Sequence, residues 1–184
     1  MSDDLLQTPP VTAEKLIDVF DRLFLQAENT RLRGGAEEPF YAPSTAGEPA
    51  TVWFRADYVR SALHEVAHWC LAGVARRQLP DYGYWYTPDD RNASQQSAFF
   101  SVEARPQAIE RSFCEPLGLP FRPSVDNLAL VIDTDALQAF ESRLDAAYET
   151  YIRAGLPARA ALFRDALVGR ANIGDDLCRH RQTR

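Results

Sequence analysis

Lysine, methionine, histidine and cysteine are all scarce in this sequence, and each shortage closes off a class of function. Lys15 is the only lysine among 20 basic residues, and the formal net charge is −6. Nothing here resembles the basic footprint of a nucleic-acid binder, so no direct nucleic-acid contact is expected. Three cysteines, Cys70, Cys114 and Cys178, are an odd number at wide spacing and make no disulfide framework. They fit reduced thiols and a cytoplasmic setting. No run of 18 apolar residues occurs, so no membrane span is expected. The acidic opening MSDDLLQTPP has no apolar h-region, which argues against a signal peptide.

What is present is enough for a core. A chain of 184 residues suits one compact domain that does not need a structural metal or disulfides to fold. The expected domain spans residues 1–184, with flexible tails at about 1–10 and 171–184. Thr12 reads as the cap of an amphipathic helix over 11–26, where Leu16, Ile17, Phe20, Leu23 and Phe24 recur at helical spacing. Residues 29–49, rich in Gly, Pro, Glu and Ala, read as a long irregular loop. Val52-Trp53-Phe54 is a short strand. Asp57 then caps a helix over 58–78 that Pro80 ends. The aromatic run 81–87 reads as a strand, and 88–92 as a turn. A helix over 94–103 is kinked or restarted at Pro106 and runs to about Phe113. A short strand at 128–132 and helices at 134–153 and 157–170 complete an α+β, mainly α architecture with a few short strands.

The chemistry lies in the second helical segment. The whole chain holds three histidines, and His64-Glu65-Val66-Ala67-His68 uses two of them in an H-E-x-x-H pattern. Residues four apart share a helix face, so both imidazoles can point at one metal while Glu65 leans over it as the candidate catalytic carboxylate. Leu63, Val66, Ala67 and Cys70 anchor the opposite face. A third ligand is needed. His180 lies far away, so a carboxylate is the better choice. Glu103, on the next helix, is preferred over Glu110 and Asp89, and Glu65 itself is a further option. Two histidines and a carboxylate serve a zinc hydrolase, with Glu65 as general base, or a facial Fe(II) site that leaves positions for oxygen. Spacing alone leaves both open. Met1 is the only methionine, so a zincin-type Met-turn is impossible.

The chain resembles the elongation factor P hydroxylase family from its first helix to about Arg170. The stretches that carry the resemblance are EKLIDVFDRLF, NTRLRGGAEEPFYAP, SALHEVAHWCLAGVARRQLPDYGYWYTPDDR, SVEARPQAIERSFC and LPARAALFRDAL. The central one is the most specific, because it joins the metal motif to DYGYWY. The resemblance implies a non-haem iron, oxygen-using monooxygenase that hydroxylates the β-lysyl-lysine of translation elongation factor P without the usual 2-oxoglutarate oxygenase barrel. It implies metal binding by His64 and His68, with Glu103 of VEARPQA as the carboxylate ligand. Fe(II) is the expected cofactor, although zinc could load a purified sample. Asp90 stands where relatives are expected to carry glycine. The alternative is a zinc-dependent hydrolase or peptidase.

Substrate contacts are read from the segment after the metal helix. Tyr82, Tyr84, Trp85 and Tyr86 could line a channel for a long cationic side chain through cation–π contacts. Asp89 and Asp90 could attract its ammonium groups. Arg76 and Arg77 are read as complementing the negative end of the metal helix, and Cys70 as a core thiol.

Overall fold

The computed structural model describes residues 11–83, 93–125 and 133–180. Among them the chain forms five helices and one three-stranded sheet, an α+β arrangement dominated by helix. Helix α1 (Ala13–Glu28) starts where the Thr12 hydroxyl accepts the Lys15 N–H, and it ends at Asn29 in the left-handed conformation. Leu16, Val19, Phe20 and Phe24 make its buried face.

Strand β1 (Thr30–Ala36) runs parallel to β3 (Ala50–Arg55), and β2 (Phe40–Ala42) pairs antiparallel to β3 on its other side. Two of the strands therefore occupy the segment expected to be an irregular loop. Glycine, proline and glutamate masked them. What forms them is pairing with β3 and the alternating burial of Thr30 and Leu32. Gly34 and Gly35 sit at a register shift between Arg33 and Ala36. A side chain at Gly34 would lie 2.6 Å from the Ala56 carbonyl oxygen, so this bulge demands glycine. Asp21 fastens α1 to the strand: its carboxylate accepts the Leu32 N–H at 2.9 Å and pairs with Arg33 at 2.6 Å.

Helix α2 (Val59–Leu71) is shorter than the expected 58–78, and its N-cap is Tyr58 rather than Asp57. The chain leaves the helix at Ala72, which is extended, and Gly73 follows. Glycine is among the poorest helix formers. Beyond it lie a single turn over Arg76–Gln78 and another over Pro80–Gly83. In the latter, Asp81 and Tyr82 take positive φ of 46° and 57°, so the expected aromatic strand does not begin at Asp81. Its remainder, 84–87, and the strand expected at 128–132 lie outside the described residues.

Helix α3 (Ala93–Cys114) is one helix through Pro106, not two. The carbonyl that loses its partner belongs to Val102, which is 39% exposed, so water can satisfy it. Helix α4 (Thr134–Ala154) packs on α3, with Phe140 stacked on Phe100 at 4.5 Å. Helix α5 (Ala158–His180) extends past the expected end at 170. Its Phe163 meets Phe113 at 5.0 Å and Phe20 at 6.2 Å.

The main core gathers α1, the sheet, α2, the end of α3, and α5. On α2 the residues Leu63, Val66, Ala67 and Trp69 are fully buried. Trp69 meets Phe20 and Phe24 at 4.9 and 4.8 Å. Each large apolar side chain buried there contributes roughly 1.5–3 kcal/mol, which fixes the rotation of α2 about its axis. The opposite face, carrying His64, Glu65 and His68, must then look toward α3.

Arg159 of α5 holds the end of α2. One guanidinium nitrogen donates to the Trp69 and Cys70 carbonyls at 3.0 and 3.1 Å and also reaches Ala72, and the group lies 4.5 Å above the Trp69 ring. The role expected of Arg76 and Arg77 therefore falls to Arg159. The helix stops before those residues arrive, and Arg77 pairs with Glu28 at 2.7 Å instead.

Candidate metal centre

Helix α2 presents His64 and His68 one turn apart, and α3 presents Glu103 opposite them. The two Nε2 atoms are 3.1 Å apart. Glu103 Oε1 lies 3.2 Å from His68 Nε2, and its Oε2 lies 3.5 Å from His64 Nε2. Donor atoms sharing one ion at about 2.1 Å stand roughly 3.0–3.4 Å from each other. The separations of 3.1 to 3.5 Å lie close to that spacing, and the types of the three, two imidazoles and a carboxylate, suit a divalent transition metal. Among the described residues they form the one convergent group of metal-ligating side chains.

Around the three donors stands a layer that orients them. The other ring nitrogen of His64, Nδ1, is 2.9 Å from Glu110 Oε2. A carboxylate there keeps the proton on Nδ1 and turns the Nε2 lone pair toward Glu103. Arg60 approaches the second oxygen of Glu110 at 3.5 Å. Gln107 donates to Glu103 Oε2 at 3.3 Å. Glu103, Gln107 and Glu110 thus form a polar row at i, i+4 and i+7 on α3. All three are buried; Glu103 and Glu110 contact the histidines, and Gln107 backs Glu103.

Charge compensation inside this cluster is strong. Burial alone would lower the pKa of His64, but its hydrogen bond to the Glu110 carboxylate and the charges of Glu103, Glu110 and Glu65 raise it to about 10. Burial would raise Glu103, yet His68, His64 and the Gln107 amide bring it down to about 2. Without an ion the site therefore holds its carboxylates with a proton on His64. A divalent cation would supply positive charge in that proton's place. Glu65 is pushed upward by burial, partly offset by His64 and His68.

The donors open into a cavity of about 720 Å³, walled by Tyr41, Tyr82, Phe99, Asp81 and Ser124 among others, and Glu65 lines it too. Tyr41 and Tyr82 stack at 4.4 Å, and the Asp81 carboxylate accepts the Tyr41 N–H at 2.7 Å. The left-handed pair Asp81-Tyr82 is a backbone strain of the kind that collects at functional sites.

The structure sorts the sequence candidates. His64, His68 and Glu103 come together. Glu110, weighed as a rival ligand, instead holds the far side of His64, and Glu65 lies beside the group without joining it. Cys70 is a buried core thiol whose pKa burial drives up. Asp89, the other rival, and the substrate candidates Tyr84, Trp85, Tyr86 and Asp90 lie outside the described residues, as do the side chains of Cys178 and His180. Sequence reading missed Gln107, and it missed that Glu110 lies against His64 Nδ1, outside the convergent group of three. The signal was there in the spacing of 103, 107 and 110, three polar residues on one face of a helix expected to pack against α2.

Fold and donors together define a class: a mainly helical α+β protein with an H-E-x-x-H helix and a carboxylate donor from a neighbouring helix, at the wall of a large cavity. Comparison with known proteins makes this specific. The family model described as Elongation factor P hydroxylase matches residues 19–174. A protein of Haemophilus influenzae named Elongation factor P lysine hydroxylase is 38% identical over 165 residues, covering 89% of this chain and 92% of the relative. The chain belongs to the elongation factor P hydroxylase family.

Proposed function

We propose that this protein hydroxylates the β-lysyl-lysine side chain of translation elongation factor P, using molecular oxygen and Fe(II) held by His64, His68 and Glu103. The observation that carries the reading is the convergence of these three donors in a chain of this family. Bound iron supplies dioxygen activation, which no amino-acid side chain provides. One oxygen atom enters a C–H bond. The other leaves as water, with two electrons drawn from an external reductant and two protons from that reductant or solvent.

The chain's own residues do the rest. Glu110 keeps the His64 ring in the tautomer whose Nε2 is free to bind. Gln107 orients the Glu103 carboxylate. The apolar face of α2 fixes both histidines from behind. Glu65, at the cavity wall and biased toward its protonated form by burial, can hold a proton beside the reacting carbon. The cavity suits a long cationic chain: the Tyr41 and Tyr82 rings offer apolar and cation–π surface, and the Asp81 carboxylate offers counter-charge. Tyr84, Tyr86, Asp89 and Asp90 directly follow this wall in sequence and are assigned to substrate contact on that ground. A cytoplasmic location follows from a translation factor as partner, and among the described residues no helix is long and apolar enough to cross a membrane.

The test is intact-mass measurement of β-lysylated elongation factor P after incubation with the iron-loaded protein and a reductant, in air and without oxygen. A gain of one oxygen atom only in air supports the reading. No gain with iron verified in the protein contradicts it. Oxygen-independent turnover that requires zinc and Glu65 would favour a hydrolase.

A further inference from the structure

Residues 119–125 have no regular secondary structure, yet Arg122, Pro123 and Ser124 form part of the cavity wall. Side chains from the two metal-bearing helices hold this segment. Arg60 of α2 donates to the Pro120 carbonyl at 3.0 Å and to the Arg122 carbonyl at 2.9 Å. Gln107 of α3 makes a two-way amide pair with Ser124. Its Nε2 donates to the Ser124 carbonyl at 2.9 Å, and its Oε1 accepts the Ser124 N–H at 2.9 Å. Gln96, also of α3, donates to the Val125 carbonyl at 3.0 Å.

Two of these holders also touch the metal donors or their immediate support. Gln107 spends its second N–H on Glu103. Arg60 reaches Glu110, which holds His64. We propose that Gln107 and Arg60 are positioning residues that couple the cavity wall at 119–125 to the metal donors, so that loading the site and ordering the wall reinforce each other. This rests on the reading of His64, His68 and Glu103 as the metal ligands.

The physical case is clearest at Gln107. Its side chain is fully buried, and both amide donors and its carbonyl are engaged. Turning the amide over would set its N–H groups against the Ser124 N–H and its oxygen against the Glu103 carboxylate. Buried polar groups left without partners in this way are costly. The amide therefore has one orientation, set jointly by Glu103 and by the backbone at Ser124. An ion that immobilises Glu103 immobilises Gln107, and through it the wall. Arg60 provides a second, separate arm, from His64 through Glu110 to the carbonyls of Pro120 and Arg122. Coupling of this kind is reciprocal: a loosened wall must weaken metal binding by the factor that metal tightens the wall. For the reaction, the substrate cavity takes its working shape only in the loaded protein, and a protein without metal offers substrate a looser surface.

The test is hydrogen exchange by mass spectrometry on the full-length protein, with and without Fe(II) under anaerobic conditions, in wild type, Gln107→Leu and Arg60→Met. Iron content is measured in each sample. The wild type is expected to bind iron and to show exchange across 119–125 slowed by roughly fivefold or more, the worth of about one net hydrogen bond. Gln107→Leu should lose that slowing around Ser124. Arg60→Met should lose it at Phe121 and Arg122 and keep it at Ser124. A residue of merely structural importance would change exchange equally with and without iron. If Gln107→Leu cannot be obtained folded or loaded, Arg60→Met carries the test, because Arg60 touches none of the three donors. Iron bound in the wild type with no change at 119–125 overturns the coupling and leaves the metal site standing. Full slowing in both variants also overturns it. Absence of iron binding in the wild type removes the ligand assignment and the coupling together.

Discussion

Replacing Glu110 with glutamine probes the centre without touching any of its three donors. The carboxylate lies 2.9 Å from His64 Nδ1 and is 5% exposed, so the loss is felt in a poorly hydrated place. A unit charge about 4 Å from a partly charged imidazole is worth at most about 4 kcal/mol at an effective dielectric near 20. Arg60, 3.5 Å from the same carboxylate, and the cost of desolvating Glu110 take back part of that. The amide can still accept the Nδ1 proton with its oxygen, but its NH₂ then faces the Arg60 guanidinium. The balance is a fall in metal affinity of about 10- to 100-fold, in line with the usual worth of such outer partners. Competition against a chromophoric chelator for Fe(II) under anaerobic conditions measures it. Glu110→Ala should lie at the upper end of the range. An affinity within twofold of wild type for both variants would refute the idea that Glu110 sets the His64 ring.

Other expectations follow from the same geometry. His64→Ala, His68→Ala and Glu103→Ala should each abolish stoichiometric metal retention, and full iron content in any of them would remove that residue from the ligand set. Because His64 holds a proton up to about pH 10 in the metal-free protein, metal binding at neutral pH should release about one proton, seen as a buffer-dependent heat in calorimetry. In the same metal-free protein, the raised pKa of His64 gives stability that is complete below its unfolded value near 6.5 and is lost as pH climbs toward 10. The lowered pKa of Glu103 gives stability that is present above about 4.5 and lost as pH falls toward 2. On these two groups, Tm with chelator present should be highest between those limits, and a Tm that keeps rising from pH 7 to 10 contradicts the assignment. Arg159→Met should cost about 2–3 kcal/mol by freeing the end carbonyls of α2 and uncovering Trp69, which is roughly 5–10 °C in Tm for a chain of this size. A drop under 1 °C would show that the helix end is held by something else.

The H-E-x-x-H helix was legible in the sequence because its information is local. His64 and His68 share a face by helical geometry alone, and the apolar residues of that helix say which face is buried. Glu103 was reachable as well, since it sits on the next long helix beside other polar residues. The sheet was less accessible. Residues 30–36 and 40–42 carry weak strand composition, and only pairing with Ala50–Arg55 makes them strands. Pro106 suggested a break in α3, but it removes one helix hydrogen bond, at the partly exposed Val102, and the helix continues. The ends of α2 depended on partners distant in sequence. Arg159, nearly 90 residues away, caps the carbonyls that Arg76 and Arg77 were expected to complement. The distinction between Glu103 as donor and Glu110 as the support of His64 needs the rotation of α3 against α2, which no spacing rule supplies.

The central claim is that oxygen from air is placed on elongation factor P at a centre made by His64, His68 and Glu103. The most direct measurement is the mass of the modified lysine peptide after reaction under isotopically heavy dioxygen, with wild type and Glu103→Ala run side by side. The account predicts one heavy oxygen atom in the peptide with wild type and none with the variant. Oxygen derived from water, or equal labelling by the variant, would contradict it.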